Sequence, residues 1–102
     1  MRLSLTGDDA FARVLAQGQR QRVGALVVIV APGAKRQNRS GFSIGRKLMP
    51  RAIDRNRLRR RLREVVRKLE REPSVDVVFR LVGRCESIAT AVGEATRLLR
   101  VA

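Results

Sequence analysis

The chain has 102 residues and a formal net charge of +14, from 23 Lys and Arg side chains against nine Asp and Glu. This length fits one domain with one core, and so large an excess of cations predicts a polyanionic partner, first nucleic acid and second an anionic membrane surface. The absence of His and the presence of a single Cys disfavour protein-borne acid–base catalysis, a zinc site and an internal disulfide.

The N-terminal part of the chain predicts an amphipathic helix from about Gly7 to Gln17. Thr6 and Asp9 have the spacing of a capping box, and Gly18 is a reasonable C-terminal stop. No apolar region of a signal peptide precedes this helix, and the chain has no run of about 18 apolar residues that could span a membrane. We therefore expect a protein of the cytoplasm that does not cross a membrane.

Two strands are predicted next. Residues 23–30, VGALVVIV, form a nearly continuous β-branched run, which is typical of a strand buried on both faces. Residues 31–39 contain Pro, Gly and Asn and predict a turn or a mobile basic loop. Residues 40–45 predict a second strand, with Phe42 and Ile44 on one face and almost no side-chain bulk on the other.

The most distinctive stretch is residues 51–71, RAIDRNRLRRRLREVVRKLER, which holds ten cations and three acids. We expect a helix that begins just after Pro50 and ends near Glu72, ahead of Pro73. Its apolar residues form one stripe and its arginines project the other way. The stripe consists of Leu58, Leu62, Val65, Val66 and Leu69. One face therefore docks on a core, and the other presents guanidinium groups at a spacing suited to phosphates.

The remaining chain predicts a strand over residues 75–82 and a last helix that Ser87 caps. The order is helix, strand, strand, helix, strand, helix, which indicates an α+β domain with helices layered on a small sheet. The strands on either side of the basic helix should lie parallel, because a helix connects them.

The basic helix carries a motif that is specific to one family. Residues 55–64, RNRLRRRLRE, closely resemble the RNR signature of the bacterial ribonuclease P protein subunit, RNRxKRxxRE, with Arg59 where Lys is usual. Residues 43–47, SIGRK, resemble the strand end S-V-S-K-K of the family, and Ala52-Ile53 stands for its Ala-Val. Residues 9–14 with the trailing Gly18 resemble its DFxxV helix, with one residue inserted.

This resemblance implies a single RNA-binding domain over residues 1–102. The implied fold is a two-layer sandwich of order αβββαβα, like the second domain of a small-subunit ribosomal protein, with a left-handed βαβ crossover. The extra short strand would lie within residues 19–22, which the residues themselves predict as loop.

The resemblance also implies an endoribonuclease ribonucleoprotein, in which a catalytic RNA removes the 5′ leader from precursor tRNA. Mg²⁺ bound mainly by that RNA would perform the hydrolysis, and no protein side chain would be catalytic. One copy of the protein would bind one ribonuclease P RNA, with no further protein partner.

Two groups of residues match the family's binding positions. The first group would contact the catalytic RNA and comprises Arg55, Asn56, Arg57, Arg59, Arg60, Arg63 and Arg67. The second group would line a cleft for the leader and comprises Phe11, Phe42, Ser43, Arg46 and Lys47. The two Phe residues could equally be ordinary core residues with no role in binding, and Arg61 could be a solvated surface residue that contacts no RNA.

Some departures from the family pattern affect the leader cleft. Many members carry an aromatic residue in the strand that corresponds to residues 23–30, where a leader base could stack, whereas this chain has only aliphatic residues there. Gly45 replaces a Ser and removes a hydroxyl donor. We therefore expect weaker stacking of the leader, with the charges of Arg46 and Lys47 compensating.

Three other classes of protein share some of these features. A small basic ribosomal or RNA-chaperone protein would have the same size and charge, but it should tolerate Asn56→Ala, whereas a positioned contact in an RNR motif should not. A DNA-binding regulator is disfavoured, because no second short helix forms a helix-turn-helix pair. A metal-dependent nuclease is disfavoured, because the acids do not cluster beyond Asp8 and Asp9, which suit the helix start.

Overall fold

The computed structural model of the protein describes residues 8–101. In chain order the elements are α1 (Asp8–Gln17), β1 (Gln19–Val23), β2 (Leu26–Pro32), β3 (Arg39–Ser43), α2 (Ala52–Arg67), β4 (Val75–Leu81) and α3 (Ile88–Val101). The order is αβββαβα, as the resemblance implies. The predicted capping residue Thr6 lies outside the described residues.

The four strands form one mixed sheet in the order β1-β2-β4-β3. β2 is antiparallel to both β1 and β4, whereas β3 is parallel to β4. The parallel pairing of the strands on either side of the basic helix is thus confirmed. The left-handed sense of that crossover stays a prediction of the resemblance.

The hairpin of β1 and β2 corrects the strand predicted over residues 23–30. Val23 ends β1 and pairs with Leu26, which begins β2. Between them Gly24 has a φ of 58°, a conformation that Gly adopts without the steric cost of a Cβ atom. The apolar run of the sequence continues through this turn, so hydrophobicity alone does not show where β1 ends and β2 begins. β1 itself, QRQRV, is almost wholly exposed, and only its ladder to β2 makes it a strand.

Helix α2 ends at Arg67, short of the predicted end near Glu72. The Asn38 side chain explains this early end. Its Nδ2 donates to the carbonyl oxygens of Val66 at 3.3 Å and Leu69 at 3.0 Å, and the Val66 carbonyl also accepts from the Leu69 N–H at 3.2 Å in a tightened last turn. Its Oδ1 accepts a 2.9 Å hydrogen bond from the Val75 backbone, so one side chain joins the end of α2 to the start of β4.

Helices cover both faces of the sheet, so the domain has three layers rather than the two that the resemblance implies. The larger core cluster joins one face to α2 and α3, with Val28, Leu62 and Phe79 among its buried members. A smaller cluster joins the opposite face to α1 and comprises Val14, Ile29, Ala31 and Val78. Adjacent residues of β2 and β4 alternate between the two clusters, as the two-residue period of a strand requires. The prediction that the β2 segment is buried on both faces is confirmed.

A buried carboxylate connects α1 to the sheet. Asp76 in β4 has no exposed surface and pairs with Arg13 of α1 and with Arg39 of β3, the latter at 2.9 Å. Arg13 also donates to the Pro32 carbonyl oxygen at 3.1 Å. These contacts fix α1 over the sheet. Within residues 8–101 no helix is long and apolar enough to cross a membrane.

Candidate nucleic-acid interface

Burial of one stripe sets the orientation of the basic helix. Leu58, Leu62 and Val66 follow one another at intervals of four residues and are at most 1% exposed. Val65 and Leu69 pack against the same cluster while partly buried. This confirms the predicted apolar stripe. The arginines of α2 therefore divide between a flank that faces β3, an outer face, and a flank that faces α3.

On the flank that faces β3, the motif residues have partners within the protein. Arg55 Nη1 donates to the carbonyl oxygens of Met49 and Pro50, both at 2.8 Å, and so fixes the loop that enters α2. Arg59 Nη1 donates to Asn56 Oδ1 at 3.0 Å. Arg55 is thus occupied by the fold, whereas Asn56 is exposed and uses its Oδ1 atom to orient Arg59.

Arg63 and Arg67 also have partners within the protein. The Arg63 guanidinium lies 5.5 Å from the ring centroid of Phe42, a cation–π contact, and Phe42 in turn stacks on Phe79 at 5.7 Å. Arg67 forms an ion pair with Glu64 one turn earlier on the exposed surface. The hydrogen bond from Arg67 lowers the pKa of Glu64 below its usual value.

The flank of α2 that faces α3 lines an open groove instead. Arg57 and Arg60 line a groove of about 560 Å³ between the first half of α2 and the segment that leads into α3. Arg61 and Arg84 line the same groove, which we name the α2–α3 groove. From the sequence, Arg61 could equally be a solvated surface residue, but in the structure it lies beside two motif residues. Arg84 joins them from another part of the chain.

The predicted leader residues lie on both faces of the sheet. Phe11 packs into the α1 cluster, and Ser43 is exposed at the end of β3 on the same face. Phe42 points to the opposite face, where it stacks under α2. The structure therefore does not bring Phe11 and Phe42 together in one cleft. Arg46 and Lys47 are exposed in the loop that follows β3.

Arg80 is a cation on the α1 face that the sequence analysis did not single out. It pairs with Ser43 of β3 on one side and with Val27 of β2 on the other. It is the exposed residue in a strand whose other members are all buried. The alternation in VDVVFRLV is the signal that could have found it, because Arg80 follows Phe79 and must face the other way.

Residues 8–101 contain no group of three or more His, Cys, Asp or Glu side chains that could hold a metal ion. The surface consists instead of guanidinium groups, exposed polar side chains and a few apolar residues. Chemically it can bind and orient a polyanion.

Comparison with known proteins identifies the family. A family model described as ribonuclease P matches residues 2–98. The chain belongs to the ribonuclease P protein family. It is 38% identical over 73 residues to the ribonuclease P protein component of Roseiflexus castenholzii, a match that covers 70% of this chain and 59% of that protein. It is 37% identical over 67 residues to the component of Chlorobaculum tepidum, covering 60% of this chain and 44% of that protein.

The chain thus spans about half the length of these curated relatives. Among solved structures, the ribonuclease P protein of Staphylococcus aureus superposes with a TM-score of 0.79 at 17% identity, covering 99% of this chain and 95% of that one. The protein from Thermotoga maritima superposes with a TM-score of 0.73 at 23% identity, covering 100% and 97%. At these identities the structural comparison confirms the small α+β fold of the family.

Proposed function

We propose that the chain acts as the protein component of a ribonuclease P ribonucleoprotein, which removes the 5′ leader of precursor tRNA. One observation carries this proposal: a buried apolar stripe holds the RNR motif on a rigid helix, in a chain that belongs to the family. The proposal places one copy of the protein on one ribonuclease P RNA in the cytoplasm. A small ribosomal or chaperone role has no observation in its favour.

The residues of α2 have two roles in this proposal. Arg57, Arg60 and the Asn56 amide are free to bind the catalytic RNA, whereas Arg55 fixes the start of the helix through the Met49 and Pro50 carbonyl oxygens. Guanidinium groups can bridge two phosphate oxygens, so a few of them on a rigid helix select a particular arrangement of the RNA backbone. Arg63 would contact RNA from above the Phe42 ring.

The leader would lie on the α1 face of the sheet. Phe11, Ser43, Arg46 and Lys47 remain our proposed leader contacts, and Arg80 joins them because it pairs with Ser43 on that face. Mg²⁺ would be held by the RNA and would supply the attacking hydroxide and charge stabilisation there. The protein would bind both the catalytic RNA and the precursor tRNA and position the leader relative to the catalytic RNA.

A cleavage assay tests this function. We expect the purified protein alone not to cleave precursor tRNA, a bacterial ribonuclease P RNA alone to need high Mg²⁺, and the mixture to cleave at lower Mg²⁺ or with a lower substrate KM. Both effects follow from cations that replace Mg²⁺ in neutralising phosphates. A mixture whose Mg²⁺ requirement and KM equal those of the RNA alone would overturn the proposal.

Asn56→Ala separates this function from generic RNA binding. We expect the variant to lose much of the stimulation, because Ala removes both the amide donor and the Oδ1 atom that orients Arg59 at 3.0 Å. Gln21→Ala, at an exposed position of β1, is the control and should retain it. Equal activity of the two variants would favour a protein that binds RNA only through its charge.

A further inference from the structure

The α2–α3 groove is a cationic surface built from two separate parts of the chain. Arg57, Arg60 and Arg61 line it from α2, and Arg84 lines it from the segment after β4. Its acidic lining residues are Asp54 and Glu86, so four cations against two acids leave a net charge of +2. Because the cations stand on two opposing walls, a bound chain of phosphates would be held from both sides.

The four arginines of the groove are available to a ligand. All four are exposed, and within residues 8–101 their guanidinium groups form no hydrogen bond or ion pair with other protein groups. On the other flank of α2, Arg55, Arg59 and Arg63 each have a partner. The exposed guanidinium groups on the α3 side of the basic helix thus have all their N–H donors available. Binding there would leave every internal hydrogen bond of α2 in place.

Apolar side chains between these cations favour a nucleotide over a simple anion. Leu48, Met49 and Ile88 line the groove together with its arginines. An RNA segment offers both a charged phosphate and the flat, apolar faces of a ribose and base, and so matches a surface with both kinds of lining. The first turn of α3 adds the positive end of its helix dipole to the same side.

We propose that the α2–α3 groove binds a phosphodiester segment of RNA, with Arg61 and Arg84 as contacts beside the RNR motif. This proposal rests on the function proposed above and extends its RNA-binding surface from α2 to the start of α3. Two RNAs share the required chemistry, the catalytic RNA and the precursor tRNA, and the experiment distinguishes them.

The single cysteine of the chain provides a direct probe, because Cys85 lines this groove. Alkylation of Cys85 by iodoacetamide is measured with the full chain alone and with saturating ribonuclease P RNA, precursor tRNA, mature tRNA or duplex DNA. We expect one RNA to slow the reaction strongly. Protection by the catalytic RNA but not by either tRNA assigns the groove to that RNA. Protection by precursor but not mature tRNA assigns it to the leader.

Either assignment supports the proposal, and two results would overturn it. One is an alkylation rate that no RNA changes. The other is equal protection by duplex DNA, which would reduce the groove to a non-selective cationic surface. If the protein stimulates cleavage while Cys85 stays fully reactive, the proposed function stands and the groove assignment fails. If the protein does not stimulate cleavage at all, the function itself fails.

Charge substitutions provide a second, independent readout. The variant Arg61→Gln with Arg84→Gln should lower the slope of log affinity against log salt by about 0.7–0.9 for each phosphate that the protein no longer neutralises. The control, Arg97→Gln with Arg100→Gln, removes the same charge from exposed positions of α3 and should leave the slope nearly unchanged. Thermal melts of both variants verify folding. Equal slopes for the two variants would contradict specific phosphate binding by Arg61 and Arg84.

Discussion

At the scale of single residues, Asp76 is the only charged residue within residues 9–100 that is buried. It is fully buried in β4, and its carboxylate pairs with Arg13 and Arg39. Arg39 donates two hydrogen bonds to it, at 3.1 and 2.9 Å. Removal of one partner of a buried pair leaves the other charges desolvated without compensation, which costs more than the pair itself contributes.

We expect Asp76→Ala to lower the free energy of unfolding by about 3–5 kcal/mol, because two largely buried guanidinium groups lose their counter-charge. Urea unfolding monitored by circular dichroism measures the loss. Glu72→Ala, at an exposed acid in the loop before β4, is the control and should change stability by less than about 0.5 kcal/mol. A loss for Asp76→Ala as small as that of the control would contradict a stabilising role of the buried pair.

The two Phe residues that the resemblance assigns to the leader should behave differently when truncated. Phe11→Ala should weaken binding of precursor relative to mature tRNA by about 1–3 kcal/mol if a leader base stacks on the ring. Phe42→Ala should leave that ratio unchanged and lower stability instead, because the ring lies between Phe79 and Arg63 on the opposite face. Equilibrium binding to both tRNAs with the holoenzyme separates the effects. If Phe42→Ala, and not Phe11→Ala, weakened the binding of precursor relative to mature tRNA, the leader would lie on the α2 face of the sheet.

Partial burial makes the Cys85 thiol a weaker acid than an exposed cysteine. Burial, and then the nearby charge of Glu94, raises the pKa of Cys85 above its ordinary value of 9.0. At any pH near that value the thiolate is therefore scarcer than in an unfolded chain, and the pH at which alkylation reaches half its maximal rate should move upward. A pH profile of the rate for native and urea-unfolded protein measures the shift. Coincident profiles would contradict the burial.

At the scale of elements, the end of α2 depends on a side chain from a distant loop. Asn38 makes three hydrogen bonds, two to carbonyl oxygens at the end of the helix and one from the backbone of β4. Its Nδ2 donates two hydrogen bonds and its Oδ1 accepts one, and among uncharged side chains only an amide supplies two donor hydrogens beside an acceptor oxygen. The loop before β3 thereby sets where the basic helix stops and where β4 begins.

We expect Asn38→Ala to lower the free energy of unfolding by about 1–3 kcal/mol, because it leaves part-buried backbone groups without partners. Asn38→Asp should be no better, since a carboxylate can accept from the Val75 N–H but cannot donate to the Val66 and Leu69 carbonyl oxygens. Thermal and urea unfolding measure both, with Gln37→Ala at the exposed neighbouring position as control. Wild-type stability of Asn38→Asp would show that the donated bonds are dispensable.

At the scale of the whole molecule, the main electrostatic feature is the excess of positive charge. The net charge of +14 is carried by a chain with a Cα radius of gyration of only 12.6 Å. Self-repulsion opposes such a compact state, and anions that bind only the folded surface relieve it. The free arginines of the α2–α3 groove and the exposed cations after β3 are the places where we expect this relief.

Sulfate should therefore raise the melting temperature more than chloride does at equal ionic strength. A ligand that binds only the folded state adds about 2.7 kcal/mol of stability at a concentration 100 times its dissociation constant. Thermal unfolding followed across a sulfate series, with chloride as the matched control for screening, measures the effect. Identical curves in the two salts would contradict a concentrated anion site.

Much of this molecule follows from the sequence alone. The stripe of Leu58, Leu62 and Val66 determines which face of α2 is buried, because spacing along a helix fixes direction around it. Ser87 caps α3 as expected, accepting a hydrogen bond from the Thr90 backbone at 3.2 Å. The RNR motif identifies the family, since its residue order is specific. These features are local, so the residues that produce them are neighbours in the chain.

Only the tertiary structure decided the features that depend on distant partners. β1 is a strand because β2 lies beside it, and α2 ends at Arg67, where Asn38 binds the carbonyl oxygens of Val66 and Leu69. The face on which Phe42 lies, and the meeting of Arg61 with Arg84 in one groove, likewise require the packed chain. The sequence by itself determined the three helices and the buried strands, and it predicts which residues bind RNA. The fold decided which arginines are already occupied, because that depends on carbonyl oxygens, carboxylates and rings brought from elsewhere in the chain.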